Sequence, residues 1–316
     1  MPALLGRTLL LLLISITILS CADEPEKRIF YALGTLVEIR SENGMQDAVK
    51  AAADTVNTLE NRITSFEDNY TVAEDGAFIE TSENWRILFD YAAELSKLSG
   101  GRFDISTGGL VKLYGFPEGP YRVPSENEIE HALTKTGIKA ELLTRDRIVK
   151  VSETTIDTGA YSKGFIVDKA AEAMMEAGET AGIVNAGGDL YAFGEKNSGK
   201  WRIAVKHPDD PENILTTVLL KDKAIATSGD YERFFERDGV IYHHILNAKT
   251  GKPARLYKSV SVIAESCMEA DGLATVYFLL PPEEVEILCE KLDTPVMLYK
   301  HDRTAIKLCG WGRFET

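Results

Sequence analysis

The sequence predicts an α+β protein, and three observations carry the prediction. Strand-like runs outnumber any regular alternation of strand and helix, which argues against a doubly wound parallel sheet. A dinucleotide fingerprint of Gly-x-Gly-x-x-Gly type is missing. Residues 157 to 189 read as a strand, a tight turn, a helix and a second strand, the unit around which the remaining elements are arranged.

The chain has 316 residues, 44% of them hydrophobic, enough to bury one large core or two small ones. A formal net charge of -14 argues against non-specific nucleic-acid binding, because a phosphate backbone would meet an acidic surface. Any phosphate site is therefore local.

Residues 1 to 20 read as a targeting segment. Arg7 precedes an apolar run from 8 to 19, too short for an ordinary transmembrane helix. The sequence Ile18-Leu19-Ser20-Cys21 resembles a bacterial lipoprotein signal, which predicts a lipidated Cys21 as the first mature residue, a tether over 21 to 27 and a functional domain over 28 to 316. Acyl chains on Cys21 would hold the domain at a membrane surface. In that class an Asp directly after the Cys favours the inner membrane. Here Ala22 holds that position and Asp23 follows it.

Residues 28 to 40 read as extended, with a bend at Leu33-Gly34-Thr35. Residues 45 to 63 have a helical apolar stripe, whereas 64 to 81 are polar, weakly patterned and read as a long loop. A helix over 82 to 98 ends at Gly100-Gly101, and the Arg102-Phe103-Asp104 turn after it is a plausible ligand-facing turn. A short helix spans 125 to 136.

In the central unit, residues 147 to 151 and 154 to 157 read as an apolar hairpin. Gly159 turns the chain before Ser162 starts a helix that stops at Gly178. The first N–H groups of that helix, with Lys163 beside them, form a candidate anion site. A capped helix after a strand would look the same. Strands follow at 201–205, 216–220 and 224–227, and the sheet is expected to continue through 240–245 and 259–264. Helices at 269–280 and 283–292 precede two late strands. Cys267, Cys289 and Cys309 show no metal or redox spacing; the compartment permits one disulfide, but buried free thiols are the expectation.

Asp271 and Thr275 lie four apart on a helix, so their oxygens share a face and suit a hard cation such as magnesium. The plain alternative is that Asp271 serves the helix dipole and Thr275 bonds back to its own helix. His243 and His244 alternate on a strand, so one ring can serve a site while the other is structural or exposed. Ser228-Gly229-Asp230-Tyr231 is a polar turn.

In order, Gly100 to Asp104, Leu110 to Phe116, Asp157 to Asp168, Val184 to Asp189, Ala226 to Tyr231, His244 to Pro253 and Ala270 to Thr275 resemble blocks of the ApbE family, the FAD:protein FMN transferases. The resemblance implies a mostly antiparallel mixed sheet with flanking helices and an active site in a cleft between two subdomains. It implies a bound FAD against Leu33, Phe66, Arg102, Phe103, Asp104, Asp157, Lys163 and Ile245, and magnesium on the Ala160 carbonyl, Asp271 and Thr275. It further implies transfer of FMN to a Thr or Ser hydroxyl with release of AMP, His244, Lys163 and Asp157 being the catalytic candidates. The acceptor it implies is a flavoprotein such as a subunit of a membrane redox pump, met on the periplasmic or other extracytoplasmic side of the inner membrane. Leu33 stands where the family commonly has Met, and residues 66 to 81 lack its Ser-Glu-x-Ser-x-Leu-Asn segment. Two other readings remain: an FAD pyrophosphatase with water as acceptor, and a non-catalytic FAD-binding lipoprotein.

Overall fold

A computed structural model describes residues 24–72, 78–80, 82–137, 147–149, 154–196 and 198–316. Cys21 and the leader lie outside the described residues. The chain opens with the hairpin β1 (Glu26–Ala32) and β2 (Thr35–Ser41). Leu33 and Gly34 both take positive φ, 55° and 69°, between the paired Ala32 and Thr35. This two-residue turn matches strand twist, and it is the bend expected at 33 to 35.

α1 (Gln46–Val72) runs well past residue 63. Much of the segment read as a loop is therefore helix. Its last turns are mostly polar, with Phe66 and Tyr70 widely spaced after Ile63, so periodicity announces them only weakly. Glu67 ties this extension to the central unit, accepting from the Thr158 N–H at 2.9 Å and its hydroxyl at 2.6 Å. β3 (Phe78–Glu80) pairs antiparallel with β4 (Arg147–Val149). The hairpin expected between 147–151 and 154–157 is thus replaced by a longer-range pairing, and Thr155 instead bridges Thr107. Residues 150–153 lie outside the described ones.

α2 (Glu83–Leu98), α3 (Gly108–Tyr114) and α4 (Glu126–Leu133) follow, the last begun by a capping box in which Ser125 and Glu128 exchange side-chain to backbone bonds. α5 (Ser162–Glu176) leads into β5 (Gly182–Ala186), β6 (Asp189–Phe193), β7 (Trp201–His207), β8 (Asp210–Leu220) and β9 (Lys223–Gly229). After them come β10 (Phe234–Arg237), β11 (Val240–His243), β12 (Leu246–Asn247), β13 (Lys252–Pro253) and β14 (Ser259–Ala264). α6 (Cys267–Phe278), α7 (Pro282–Leu292), β15 (Val296–Tyr299), β16 (Ala305–Leu308) and a 3₁₀ turn (Trp311–Arg313) complete the chain.

The main sheet has eight strands in the order β1-β2-β5-β6-β9-β14-β15-β16, each neighbouring pair antiparallel. α1, α5 and α6 cover one face. The β7–β8 hairpin covers part of the other, burying Trp201, Val218 and Leu220 with Ile225, Ile263 and Trp311. β14, covered on both faces, is buried at every position, whereas flanking β2 alternates. A third cluster of Leu110, Tyr114, Phe116, Ile129 and Leu246, flanked by Phe235 and Tyr242, forms a separate lobe. β11 belongs to this lobe and pairs with β10, so the strand expected to continue the main sheet at 240–245 stands outside it.

Cys289 and Cys309 form a disulfide that joins α7 to the chain after β16, and Cys267 is a buried thiol. The expectation of free thiols fails for this pair because the β15–β16 hairpin returns Cys309 to the helix, a proximity that sequence spacing does not encode. Among the described residues no helix is long and apolar enough to cross a membrane.

Candidate active site

A cavity of about 540 Å³ opens where the third-cluster lobe meets the helix layer. Phe103, Asp104, Val111 and Phe116 line it from one side, and Asp157, Ala160, Lys163, Asp271 and Thr275 from the other. Glu232, Arg233, His244 and Ile245 complete the wall.

Two helix starts build the charged floor. α5 and α6 touch closely at Gly164, where a Cβ would lie 2.3 Å from the Cys267 carbonyl oxygen. Because no Cβ is present, the Gly164 N–H reaches Asp271 Oδ2 at 3.0 Å. The Ser162 N–H donates to Thr158 O at 2.9 Å, so α5 does not present the row of open donors expected at 162 to 164. Anion attraction at this point rests instead on Lys163. Its ammonium is ion-paired to Asp189, with Asp271 Oδ1 3.9 Å away. Burial alone would favour the neutral amine, but the charges of Asp189 and Asp271 outweigh it and raise the Lys163 pKa.

Thr275 donates from its hydroxyl to the Ala160 carbonyl at 3.3 Å and lies 3.2 Å from the Ser228 hydroxyl. The buried Asp271 carboxylate stands one turn back on the same helix. A carbonyl, a hydroxyl and a carboxylate in one wall are hard oxygen donors, a set that suits magnesium. Burial, and then Asp189, push the Asp271 carboxyl well above the usual range, a penalty that a cation would offset. Among the described residues no cluster of three or more His, Cys, Asp or Glu is placed to hold a metal, so the mixed oxygen set is the one available.

The paired histidines separate as alternation predicts. His243 is buried, hydrogen-bonds Ala254 O through Nε2 at 2.7 Å and packs edge-on to Phe278. His244 lines the cavity beside Phe116, with Nδ1 3.4 Å from Arg233 O. A carbonyl only accepts, so Nδ1 carries the proton and Nε2 keeps a lone pair. Burial, then the Arg233 charge and His243, bring the His244 pKa down to about 3. The ring is neutral at neutral pH.

Phe103, Asp104, Asp157 and Ile245, the residues expected to contact FAD, all line the cavity. Asp104 Oδ1 is held by Ser106, from its N–H at 2.8 Å and its hydroxyl at 2.5 Å, and Asp157 Oδ1 accepts from the Gly159 N–H at 2.9 Å. Arg102 does not join them. Its guanidinium makes a bidentate pair with Glu284 on α7, both distances 2.9 Å, and anchors the turn rather than facing the cavity. Leu33 sits at the β1–β2 turn with its N–H on Glu60 Oε1 at 2.6 Å, outside the cavity lining; the neighbouring Gly34 abuts Arg233. Phe66 falls on α1, and its side chain lies outside the described ones.

The sequence profile of the ApbE family matches residues 33–298. The chain belongs to the ApbE family. A Vibrio cholerae relative called FAD:protein FMN transferase is 36% identical over 213 residues, covering 66% of this chain and 64% of its own length. One of the same name from Treponema pallidum is 32% identical, covering 62% and 60%. The match thus spans somewhat under two thirds of these relatives. The crystal structure of an ApbE protein from Thermotoga maritima superposes with a TM-score of 0.83 at 29% identity, over 93% of this chain and 100% of that one. Flavin transferase ApbE from Vibrio cholerae gives 0.79 at 28% identity, over 92% and 99%.

In this ApbE-family chain, sequence reasoning missed parts of the site. Glu232, Arg233 and Glu67 line the cavity without belonging to any stretch read as chemical. Asp189 was visible as the end of its glycine-rich block, but its pairing with Lys163 depends on β6 lying beside α5. Asp168 accepts from the N–H groups of Cys267 and Met268 at 2.7 and 2.9 Å and so fixes the start of α6. Its only signal was its place at the end of the Asp157 block.

Proposed function

We propose that the chain is an FAD:protein FMN transferase, moving the FMN moiety of FAD to a Thr or Ser hydroxyl of an acceptor flavoprotein and releasing AMP. The single observation that carries this reading is the convergence of Lys163, His244 and the oxygen set of Ala160, Asp271 and Thr275 on one cavity. The names and similarity of the ApbE relatives support it.

In this reading Ala160, Asp271 and Thr275 would hold magnesium, which when bound would supply positive charge to the pyrophosphate. Lys163, kept cationic by its two acids, attracts the same pyrophosphate. Phe103, Asp104, Asp157 and Ile245 hold the rest of FAD. His244 accepts the acceptor hydroxyl's proton on Nε2, as its tautomer allows. The acceptor oxygen then bonds the FMN phosphorus, and the bond from that phosphorus to the AMP phosphate oxygen breaks.

A lipidated Cys21 would place this chemistry at the extracytoplasmic face of the inner membrane, beside acceptors such as redox-pump subunits. The Cys289–Cys309 disulfide supports an oxidising compartment. The test is a mass spectrum of a Thr-bearing acceptor after incubation with the chain from Ala22 onward, FAD and magnesium. The expected result is a gain of one FMN, abolished by Asp271→Ala. Free FMN and AMP with an unmodified acceptor would favour the pyrophosphatase, and intact bound FAD the carrier.

A further inference from the structure

β10 and β11 form a ribbon closed by Asp238 and Gly239, both at positive φ, between the paired Arg237 and Val240. The His244 N–H donates to Arg233 O at 3.2 Å at the foot of the ribbon. In an antiparallel pair, bonded and non-bonded residue pairs alternate. Counting up from Arg233 and His244, the pairs Phe234–His243 and Glu236–Ile241 are non-bonded, so their main-chain groups point away from the ribbon. On the β11 side Arg255 donates to Ile241 O. On the β10 side the N–H and C=O groups of Phe234 and Glu236 have no protein partner among the described residues. This is an open strand edge.

The ribbon is packed on one face and its foot reaches the cavity. Phe235 stacks between Tyr121 and Tyr242, with centroids 5.5 and 5.2 Å away, which fixes one face of the ribbon. Phe234 is 45% exposed on the opposite face. The two feet of the ribbon, Arg233 and His244, both line the cavity.

We infer that the acceptor polypeptide docks as an added strand along the open edge of β10, which brings its hydroxyl to His244. The inference rests on the transferase reading and names the surface that reading requires. The occupant follows from the geometry. Two outward main-chain positions two residues apart are the repeat that an extended peptide satisfies, and Phe234 offers the apolar contact that seats an alternate side chain. A strand followed past Phe234 next meets the outward position at Glu232, which lines the cavity together with Arg233 and His244. An edge that ends at the cavity wall suits the chain that must surrender a proton inside the cavity.

The test uses a library of short Thr-centred peptides with the chain from Ala22 onward, FAD and magnesium, adducts being read by mass spectrometry. Glu236→Pro removes one outward N–H without breaking a ladder bond, and Phe234→Ser removes the apolar contact. For the best peptide, Glu236→Pro should raise the acceptor KM by about two- to tenfold and Phe234→Ser by about tenfold, leaving FAD affinity and FAD hydrolysis in water unchanged. An unchanged KM in both variants overturns the docking and leaves the transferase reading standing. If the unaltered chain modifies no peptide, that reading falls and the docking with it. A second measurement needs no variant: amide exchange at Phe234 and Glu236 in the unaltered chain should slow when the peptide is added. Slowing that instead follows protein concentration without peptide assigns the edge to a second copy and overturns the proposal.

Discussion

His243 and His244 share a peptide bond and have opposite surroundings. Successive strand side chains point to opposite faces, and here one face is the core against Phe278 and the other is the cavity. Burial keeps both rings neutral, with pKa values lowered to about 4 and about 3, so neither needs high pH to act as an acceptor. Of the two, His244 has the ring that lines the cavity. In the proposed transferase, replacing it with Ala should lower the transfer rate by about 10²- to 10⁴-fold, the usual span for a general base. FAD affinity, followed by flavin fluorescence, should hold. His243→Ala should instead cost stability, because its Nε2 satisfies Ala254 O. Alternation made this division legible before the fold was known. The commitment of Arg102 was not legible, since its partner Glu284 lies 182 residues away.

At the level of elements, the site depends on how α6 is started. Asp168 from α5 accepts from the first two N–H groups of α6, and the Ser266 hydroxyl accepts from the Glu269 N–H at 3.2 Å. Asp271 and Thr275 lie within the next two turns, so an error in this cap is carried to both. Asp168→Ala leaves two donors unmatched and should cost about 1–3 kcal/mol per buried unsatisfied group. Urea denaturation measures that loss, and the magnesium concentration for half-maximal transfer should rise in the same variant. The Asp271 and Thr275 spacing was readable as one helical face; the helix that holds it in place from outside was not. Nor was the full length of α1, whose mostly polar end is tied through Glu67 to Thr158, far along the chain. The disulfide belongs to this scale too. Closing a loop across a separation of 20 residues contributes about 3 kcal/mol in the chain-entropy account. Cys289→Ser with Cys309→Ser should therefore lower the melting temperature by several degrees and leave the FAD affinity unchanged, since neither cysteine lines the cavity.

Across the whole molecule, one antiparallel sheet carries α5 and α6, and the third-cluster lobe closes the cavity above them. The α+β class followed from the excess of strand-like runs together with the missing dinucleotide fingerprint, but strand order did not, because neighbours such as β2 and β5 are joined across most of the helices. That long-range join is latched by Glu179. Buried between the end of α5 and the start of β5, it accepts from the Ser41 hydroxyl, from Asn43 Nδ2 at 2.5 Å, and from the N–H groups of Thr180 and Ala181 at 2.9 and 3.2 Å. Ser41 in turn accepts from the Met45 N–H at 2.7 Å, just before α1. Burial alone would raise the carboxyl pKa, yet these hydrogen bonds outweigh it and hold Glu179 below its ordinary value of 4.5. A depressed folded-state pKa gives stability that is present above the unfolded value and lost as pH falls through the folded one. The latch should therefore be complete at pH 6 and weaken as pH drops below about 4.5, when proton uptake favours the unfolded chain. Glu179→Gln cannot take up that proton, so its melting temperature should lie below that of the unaltered chain at pH 6, with the gap narrowing as the pH is lowered towards about 3. A gap that stays constant across that range would show that the latch holds by shape and not by charge.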